Sequence, residues 1–414
     1  MAQHHAEPWH TDQWFSSLWN YLPEVTEGFH FAETLKIHDI TLRDGEQQAG
    51  LVLNADDKVR IAVALAEAGV HRIEAGLPAV SAGDEEAVRR IAALGLPAEI
   101  YAFCRVTKDD VRLAADCGVK SVVMEVPASA HLIDKAYGWS KEKALDLSIQ
   151  ATAYAHELGL KVVFFPIDAT RSPMVELMDD LGRVAREGHA DAIVLVDTMG
   201  VISPHAVGFF ARSTRERLGI PLEAHFHQDF GLGVANSVIA ATQGVEALHT
   251  TVGGIGERAG NTPMEETVMA LLTMYGIDMG IKTEKFYDLA RLVLGLTGAV
   301  QAPNKPVIGD TVFHIESGIP TAWLRKLGDK DMLEVFPFRP ELVGQPAPVT
   351  LLGKGAGLDS IAFGLERLGI KWSSSEELRA ILAEVKAMSL EKKRLLTDEE
   401  LAVIARKTLP GTAG

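Results

Sequence analysis

Apolar residues follow two alternating patterns along most of the chain, and together these patterns predict a series of strand–helix units. Short apolar runs, typical of strands buried in a parallel sheet, alternate with longer segments in which apolar residues recur every three to four positions, as on one face of a helix. The predicted strands are residues 36–41, 71–76, 98–104, 120–127, 161–167, 191–198, 222–227 and 247–254. The predicted helices are residues 55–68, 82–94, 108–118, 141–159, 175–188, 204–219, 235–245 and 263–276.

Eight strand–helix units of this total length favour an α/β protein with a (β/α)8 TIM barrel, a fold that typically takes about 250 residues. The alternative is an open, doubly wound sheet. No GxGxxG sequence follows the first predicted strand, which argues against the dinucleotide-binding version of that alternative. We therefore predict a TIM-barrel catalytic domain at residues 35–280.

The segments on either side of the barrel have other patterns. Residues 1–34 are rich in aromatic side chains and weakly periodic, which predicts a short N-terminal extension with a helix near Gln13–Tyr21. Residues 281–414 begin with a predicted helix at 283–298 and continue with a region rich in Pro and Gly. They are predicted to form a C-terminal mixed α/β subdomain that acts as a lid or in dimerisation.

Two further helices are predicted near the C-terminus from their starting sequences. Ser373 with Glu376, and Thr397 with Glu400, have the spacing of capping boxes, in which a hydroxyl and a carboxylate satisfy the first free backbone N–H groups.

Composition narrows the class of protein. The 414 residues are 47% hydrophobic, which is typical of a soluble globular protein. The net charge of −16 argues against a nucleic-acid partner. Cys104 and Cys117 form no CxxC pair and suggest a reducing compartment. We find neither a secretion signal pattern nor a run of 18 apolar residues, so a cytoplasmic location without membrane insertion is predicted.

A candidate metal site comes from residues at the ends of three predicted strands, because the strand ends of a closed barrel surround one mouth. His225 and His227 lie two apart on a strand and so share a face. Asp44 follows the first strand, and Asn261 lies in the Gly-rich loop after the eighth. These nitrogen and oxygen donors suit Mn²⁺, Mg²⁺, Zn²⁺, Co²⁺ or Fe²⁺. A purely structural role for the two histidines is the alternative.

Further polar residues at strand ends are candidates for contact with a substrate. Arg43, next to Asp44, offers a fixed positive charge for an oxygen that becomes negative during a reaction. Gln47 follows in the same segment, Glu74 ends the second strand, and Thr198 ends the sixth. Arg43 and Glu74 could instead be ion-pair partners, and Thr198 could simply cap the next helix.

Several motifs match one family. IHDITLRDGEQQAG at 37–50, DTMG at 197–200, AHFHQDFGLGVANS at 224–237 and GGIGERAGNTPMEE at 253–266 resemble the metal-dependent, aldolase-like TIM barrels that carry an RDGEQ motif. That family includes isopropylmalate, homocitrate and citramalate synthases and 3-hydroxy-3-methylglutaryl-CoA lyase. The GERAGN and LGKGAG sequences look like the synthase branch, and the resemblance extends over residues 36–369.

The resemblance implies roles for the candidate residues. It assigns the metal to Asp44, His225, His227 and Asn261, catalysis to Arg43 and Glu74, and contact with a 2-oxo acid to Arg43, Gln47, Glu74 and Thr198. It also implies a homodimer in which the C-terminal subdomain completes the neighbour's site.

Two positions depart from the synthase pattern. Pro320 stands in SGIP where synthases carry a histidine, and Ile167 stands where they carry a glutamate. Neither side chain transfers protons, so the usual pair that deprotonates the acyl-CoA is missing. Candidates to replace it are His314, Glu316 and Glu125.

The resulting prediction is a metal-dependent acyltransferase of carboxylic acid biosynthesis that condenses an acyl-CoA, most simply acetyl-CoA, with a 2-oxo acid. One alternative is a metal-dependent lyase or aldolase acting on a hydroxy acid, which does not need the residues replaced by Pro320 and Ile167. Another is a binding protein that turns nothing over, against which the complete set of polar strand-end residues argues.

Overall fold

Eight parallel strands close into a barrel in the computed structural model, which describes residues 7–409. β1 pairs with both β2 and β8 and so closes the cylinder. The predicted TIM barrel is confirmed, and the open-sheet alternative is wrong. The strands are β1 Lys36–Asp39, β2 Arg72–Glu74, β3 Glu99–Arg105, β4 Ser121–Pro127, β5 Lys161–Ile167, β6 Ala192–Asp197, β7 Leu222–Phe226 and β8 Ala247–Thr250.

The longer strands are mainly apolar because both of their faces are covered. Every residue of β6 is buried, and every residue of β4 except Glu125. All eight strands lie where the sequence predicts them, with ends that differ by a few residues. β8 differs most, because residues 251–254 leave the sheet and form a turn at the mouth.

Helices surround the barrel, and several of them begin with a side-chain cap. Ser81, Thr107, Ser140 and Ser203 each accept a hydrogen bond from the backbone N–H three residues ahead. Helix α5 was not predicted. The helices in this part of the chain are α1 Pro23–Thr26, α2 Ala55–Glu67, α3 Ala82–Ala93, α4 Lys108–Asp116, α5 Ala130–Lys135, α6 Lys141–Glu157, α7 Met174–Arg183, α8 Pro204–Leu218, α9 Gly233–Ala241, α10 Met264–Tyr275 and α11 Phe286–Thr297.

The described chain divides into two compact units. Residues 18–301 form the first unit and contain the barrel with helices α1 to α11. The second unit combines residues 7–17 with residues 302–409. Of the predicted N-terminal extension, residues 1–6 lie outside the described residues, as do residues 410–414.

The second unit contains four helices and a two-stranded sheet. Its strands are β9 His314–Ile315 and β10 Val349–Thr350, and its helices are α12 Gly318–Leu327, α13 Leu358–Arg367, α14 Ser375–Lys392 and α15 Asp398–Thr408. Apolar side chains of α13, α14 and α15 form a core of their own, including Ile361, Leu365, Ile381, Val385 and Leu401. Along the described residues no helix is long and apolar enough to span a membrane.

Two local predictions are wrong. The helix expected near Gln13–Tyr21 is only a 3-10 turn at Leu18–Tyr21, because the preceding residues are extended and the Phe15 N–H donates to the Pro337 carbonyl. Helix α14 is capped one residue later than predicted, by Ser374 with Glu377, since Ser374 is the residue with extended dihedrals. The predicted cap at Thr397 with Glu400 is confirmed.

Candidate metal centre and active site

A tight turn after β1 places Arg43 and Asp44 at the barrel mouth. The backbone N–H groups of Arg43, Asp44 and Gly45 all donate to the carbonyl of Ile40, at 3.1, 3.0 and 3.1 Å. A Cβ at Gly45 would lie 3.1 Å from a side-chain carbon of Ile255, so the packing favours glycine there. Arg43 and Asp44 are both buried, at 7% and 4% exposure. The turn therefore fixes two charged side chains in a site almost closed to solvent.

The end of β7 brings two imidazoles to the same place. The Nε2 atoms of His225 and His227 lie 3.1 Å apart, and His225 Nε2 is 3.9 Å from Asp44 Oδ2. One donor atom from each of these three residues lies within 4.8 Å of the others. Barrel closure thus joins residues about 180 positions apart in the sequence into one cluster, called here the mouth cluster.

Asn261 closes one side of the mouth cluster. Its Nδ2 donates to Asp44 Oδ1 at 2.7 Å, while its Oδ1 is buried without a hydrogen-bond partner. Gly256 makes room for this amide, because at its φ of 147° a Cβ would lie 2.1 Å from Asn261 Nδ2. An unpaired amide oxygen remains beside the carboxylate and the two imidazoles.

The donor atoms of this cluster fit a divalent cation. Burial holds the pKa of His225 well below its usual value and also lowers that of His227, so both rings are neutral and keep a lone pair. The carboxylate and amide oxygens add hard donors, a mixed set that suits the divalent ions named above. Asp44, His225 and His227, with Asn261 as a fourth group, would hold such an ion.

Arg43 is held in one orientation beside the cluster. Its Nε donates to Glu74, its Nη1 donates to Asp44 Oδ2 at 2.6 Å, and its guanidinium carbon lies 4.0 Å from the centre of the Phe103 ring. Burial alone would raise the pKa of Glu74, but Arg43 and His38 hold it at about 2. Arg43 Nη2 is buried and has no partner, which leaves one donor for a ligand.

A second set of histidines and a carboxylate lies within the barrel. His38, Glu223 and His249, called here the core cluster, also place their donor atoms within 4.8 Å of one another. Glu223 is bound by Arg72 Nη1 and, at 2.8 Å, by His249 Nε2. His38 stacks on His249 with ring centres 4.4 Å apart. All three residues are buried within the strands rather than at their ends.

Charge separates the two clusters. Burial would raise the pKa of Glu223, but His249 and Arg72 hold it at about 2, so Glu223 is ionised and already compensated. Burial and the neighbouring His249 lower the pKa of His38 to about 4, so His38 is neutral. At the mouth, Asp44 and Glu74 both bind the one guanidinium of Arg43. A cation held by Asp44, His225 and His227 would add positive charge to this shared arrangement, whereas Glu223 in the core cluster already has Arg72 and His249.

The remaining predicted contact residues lie at the mouth without bonding to the cluster. The Thr198 hydroxyl accepts the Asp168 N–H at 2.8 Å, and its carbonyl accepts from Arg258. Gln47 ends the 3-10 turn Gly45–Gln47, and its side chain is exposed. The structure therefore brings Arg43, Asp44, Glu74, His225, His227 and Asn261 into one network and leaves Thr198 and Gln47 at its rim.

The two positions where the synthases carry the proton-transferring glutamate and histidine are occupied here by residues that cannot act as bases. Ile167 ends β5, and Pro320 lies in the first turn of α12. Glu316, one candidate replacement, accepts the Gly355 N–H at 2.8 Å.

The core cluster was not anticipated from the sequence. Its signal was present in part, because Glu223 lies two residues before His225 and so shares its face.

Comparison with known proteins shows which family the chain resembles. A model of the HMGL-like family matches residues 34–293. A homocitrate synthase, AksA, of Methanopyrus kandleri is 38% identical over 389 residues, which are 94% of this chain and 96% of that protein. A 2-isopropylmalate synthase of Methanocaldococcus jannaschii is 36% identical over 386 residues, 92% of this chain and 73% of that protein.

A solved structure has a similar fold. The HMG-CoA lyase of Bacillus subtilis superposes with a TM-score of 0.60 at 20% identity, over 67% of this chain and 98% of that one. At this identity the likeness supports the barrel fold alone.

Proposed function

The chain belongs to the HMGL-like family, and on that premise we propose that it is a metal-dependent acyltransferase. It condenses an acyl-CoA, acetyl-CoA in the simplest case, with a 2-oxo acid, forms a carbon–carbon bond and releases CoA. The observation that carries the proposal is the mouth cluster with Arg43 clamped beside it, in a chain 38% identical to a homocitrate synthase.

The site has the groups that this reaction needs to bind a 2-oxo acid. Asp44, His225, His227 and Asn261 would hold a divalent cation, which when bound would supply Lewis-acid polarisation of the keto group. The free Nη2 of Arg43 donates to the keto oxygen, on which negative charge grows as the new bond forms. Thr198 and Gln47 are proposed to contact the carboxylate of the same substrate from the rim.

Glu74 acts on the reaction through Arg43. Together with Asp44 and the Phe103 ring it holds the guanidinium in one orientation, so no rearrangement is needed when charge develops. Phe103 and Phe165 form aromatic walls beside the guanidinium and exclude water from it. Exclusion of water strengthens the interaction between Arg43 and the keto oxygen.

The wider organisation is proposed from the sequence. Residues 35–280 would be the catalytic domain, and residues 281–414 a subdomain that serves as a lid or in dimerisation. The protein is proposed to work as a homodimer in the cytoplasm.

The test is release of free CoA thiol from acetyl-CoA with a panel of 2-oxo acids. The protein is first stripped with a chelator and then supplied with Mn²⁺, Mg²⁺, Zn²⁺, Co²⁺ or Fe²⁺ in turn. Thiol release that needs both a 2-oxo acid and a metal supports the proposal. The Arg43→Gln variant is the matched control, because a contaminating thioesterase would persist in it.

Cleavage of a hydroxy acid is the second candidate function. It is favoured because Ile167 and Pro320 occupy the positions of the glutamate and histidine that deprotonate the acyl-CoA in the synthases. If no 2-oxo acid elicits thiol release while a hydroxy acid is split to a 2-oxo acid, the enzyme is a lyase.

A further inference from the structure

Glu125 is a carboxylate at the barrel mouth that the proposed roles leave unused. It lies near the end of β4 and is the one residue of that strand that is not fully buried. In the parallel register it pairs with Phe165 on β5, whose ring lies edge-on to His225 with centres 4.9 Å apart. Paired residues of neighbouring parallel strands point to the same face, so Glu125 points into the mouth beside Phe165.

Other carboxylates at this end of the barrel are engaged. Asp168 accepts from Ser129 and Arg171, Asp197 from Thr170 and the Ile202 N–H, Glu46 from Lys58 and the Leu53 N–H, and Asp229 from Arg258. Asp44 and Glu74 hold Arg43. Glu125 differs from all of these: within residues 7–409 its carboxylate has no hydrogen bond or ion pair.

The nearby arginines do not form an ion pair with Glu125 either. Arg105, its register partner on β3, is held by both oxygens of Asp110 at 2.7 and 2.9 Å. Burial raises the pKa of Glu125, and Arg43 and Arg105 only partly offset this. The charged or titratable groups around it are Arg43 after β1, Glu74 on β2, Cys104 and Arg105 on β3, Asp110 on α4 and Tyr137 after α5.

Resting on the proposed function, we propose that Glu125 is the general base that replaces the missing pair. Its carboxylate takes a proton from the methyl carbon of the acyl thioester, and the electron pair of that C–H bond forms the new bond to the keto carbon. The proton on Glu125 then passes to the oxygen of the former ketone, which becomes a hydroxyl. Water cleaves the thioester and releases CoA.

The decisive variant is Glu125→Gln, which keeps size and removes the proton acceptor. We expect its kcat for thiol release to fall by about 10²–10⁴-fold, the usual contribution of a positioned base. The KM for the 2-oxo acid and the affinity for Mn²⁺, measured by calorimetry, should stay within about twofold of wild type. Glu157→Gln, an exposed glutamate at the end of α6, is the matched control and should be unaffected.

Proton exchange gives a second readout. With Mn²⁺ present, wild-type enzyme should exchange the methyl protons of acetyl-CoA with deuterated water, as followed by proton NMR, and Glu125→Gln should not. The carboxyl itself is measured in metal-free protein by infrared difference spectra of wild type against Glu125→Gln. Its pKa should lie above the ordinary glutamate value.

The outcomes separate the two proposals. If wild-type enzyme releases no thiol with any 2-oxo acid, the proposed function falls, and this inference falls with it. If wild type is active and Glu125→Gln keeps its kcat, or changes only which 2-oxo acids are used, Glu125 is not the base and the proposed function stands.

Discussion

The mouth cluster and the core cluster contain the same kinds of side chain on neighbouring strands, yet they are suited to different tasks. Each has two buried histidines and one carboxylate with donor atoms within 4.8 Å. In the core cluster Glu223 is already compensated by Arg72 and His249. At the mouth, Asp44 and Glu74 share the single guanidinium of Arg43, at the end of the barrel where substrates enter. Donor identity alone therefore does not define a metal site; charge balance and access do.

Removing one histidine from each cluster should produce the largest difference between them. His227→Ala is expected to lower Mn²⁺ affinity by more than the 10–100-fold that is typical for loss of an outer-shell partner, and to abolish activity. His249→Gln should leave affinity within a few-fold of wild type, because Glu223 stays paired with Arg72. Calorimetric titration of both metal-free variants measures this. Equal losses would mean that the clusters are not functionally distinct.

Substituting the arginine of each cluster should also have different effects. Arg43→Gln is expected to lower kcat by about 10²–10³-fold, the usual effect of losing a donor to a developing oxyanion, with Mn²⁺ still bound. Arg72→Gln removes the guanidinium that compensates the buried charge of Glu223, so its main effect should be on the free energy of unfolding. Steady-state kinetics together with urea unfolding checks both variants. A kcat for Arg43→Gln near that of wild type would remove Arg43 from the reaction.

The core cluster should make stability depend on pH. The pKa of His38 is about 4 in the folded protein against 6.5 in the unfolded chain, so the unfolded chain binds more protons between these values. The free energy of unfolding should therefore fall by about 3 kcal/mol as pH drops from 6.5 to 4. Urea unfolding across this range should show a smaller decrease for His38→Gln. A decrease of the same size in both proteins would remove His38 as its source.

Metal binding should stabilise the fold through the mouth cluster alone. At a free Mn²⁺ concentration 100 times the Kd, the free energy of unfolding should rise by about 2.7 kcal/mol. The increase should vanish in His225→Ala and persist in His249→Gln. Thermal unfolding with and without Mn²⁺ measures it, and persistence in His225→Ala would place the ion elsewhere.

The fold was more predictable than the contacts of individual side chains. Hydrophobic periodicity located all eight strands, since burial on both faces imposes apolar runs. Strand ends then allowed Asp44 to be grouped with His225 and His227, because closure brings all ends to one mouth. The helix predicted near Gln13–Tyr21 failed because extended pairing with residues far along the chain, such as Pro337, leaves no local signal.

The hydrogen-bond and ion-pair partners of the carboxylates could not be predicted from the sequence, for a related reason. His314, Glu316 and Glu125 were all candidates to replace the missing base, and the sequence does not show that Glu316 accepts the Gly355 N–H. The compensation of Glu223 by Arg72 joins residues on non-adjacent strands across the barrel interior, and no spacing in the sequence encodes it.

The most direct test of the account is an anomalous difference map from crystals grown with Mn²⁺, recorded at the manganese absorption edge. The account predicts one strong peak within bonding reach of Asp44, His225 and His227, and none between His38, Glu223 and His249. A peak in the core cluster, or none at the mouth at a Mn²⁺ concentration that supports turnover, would contradict it.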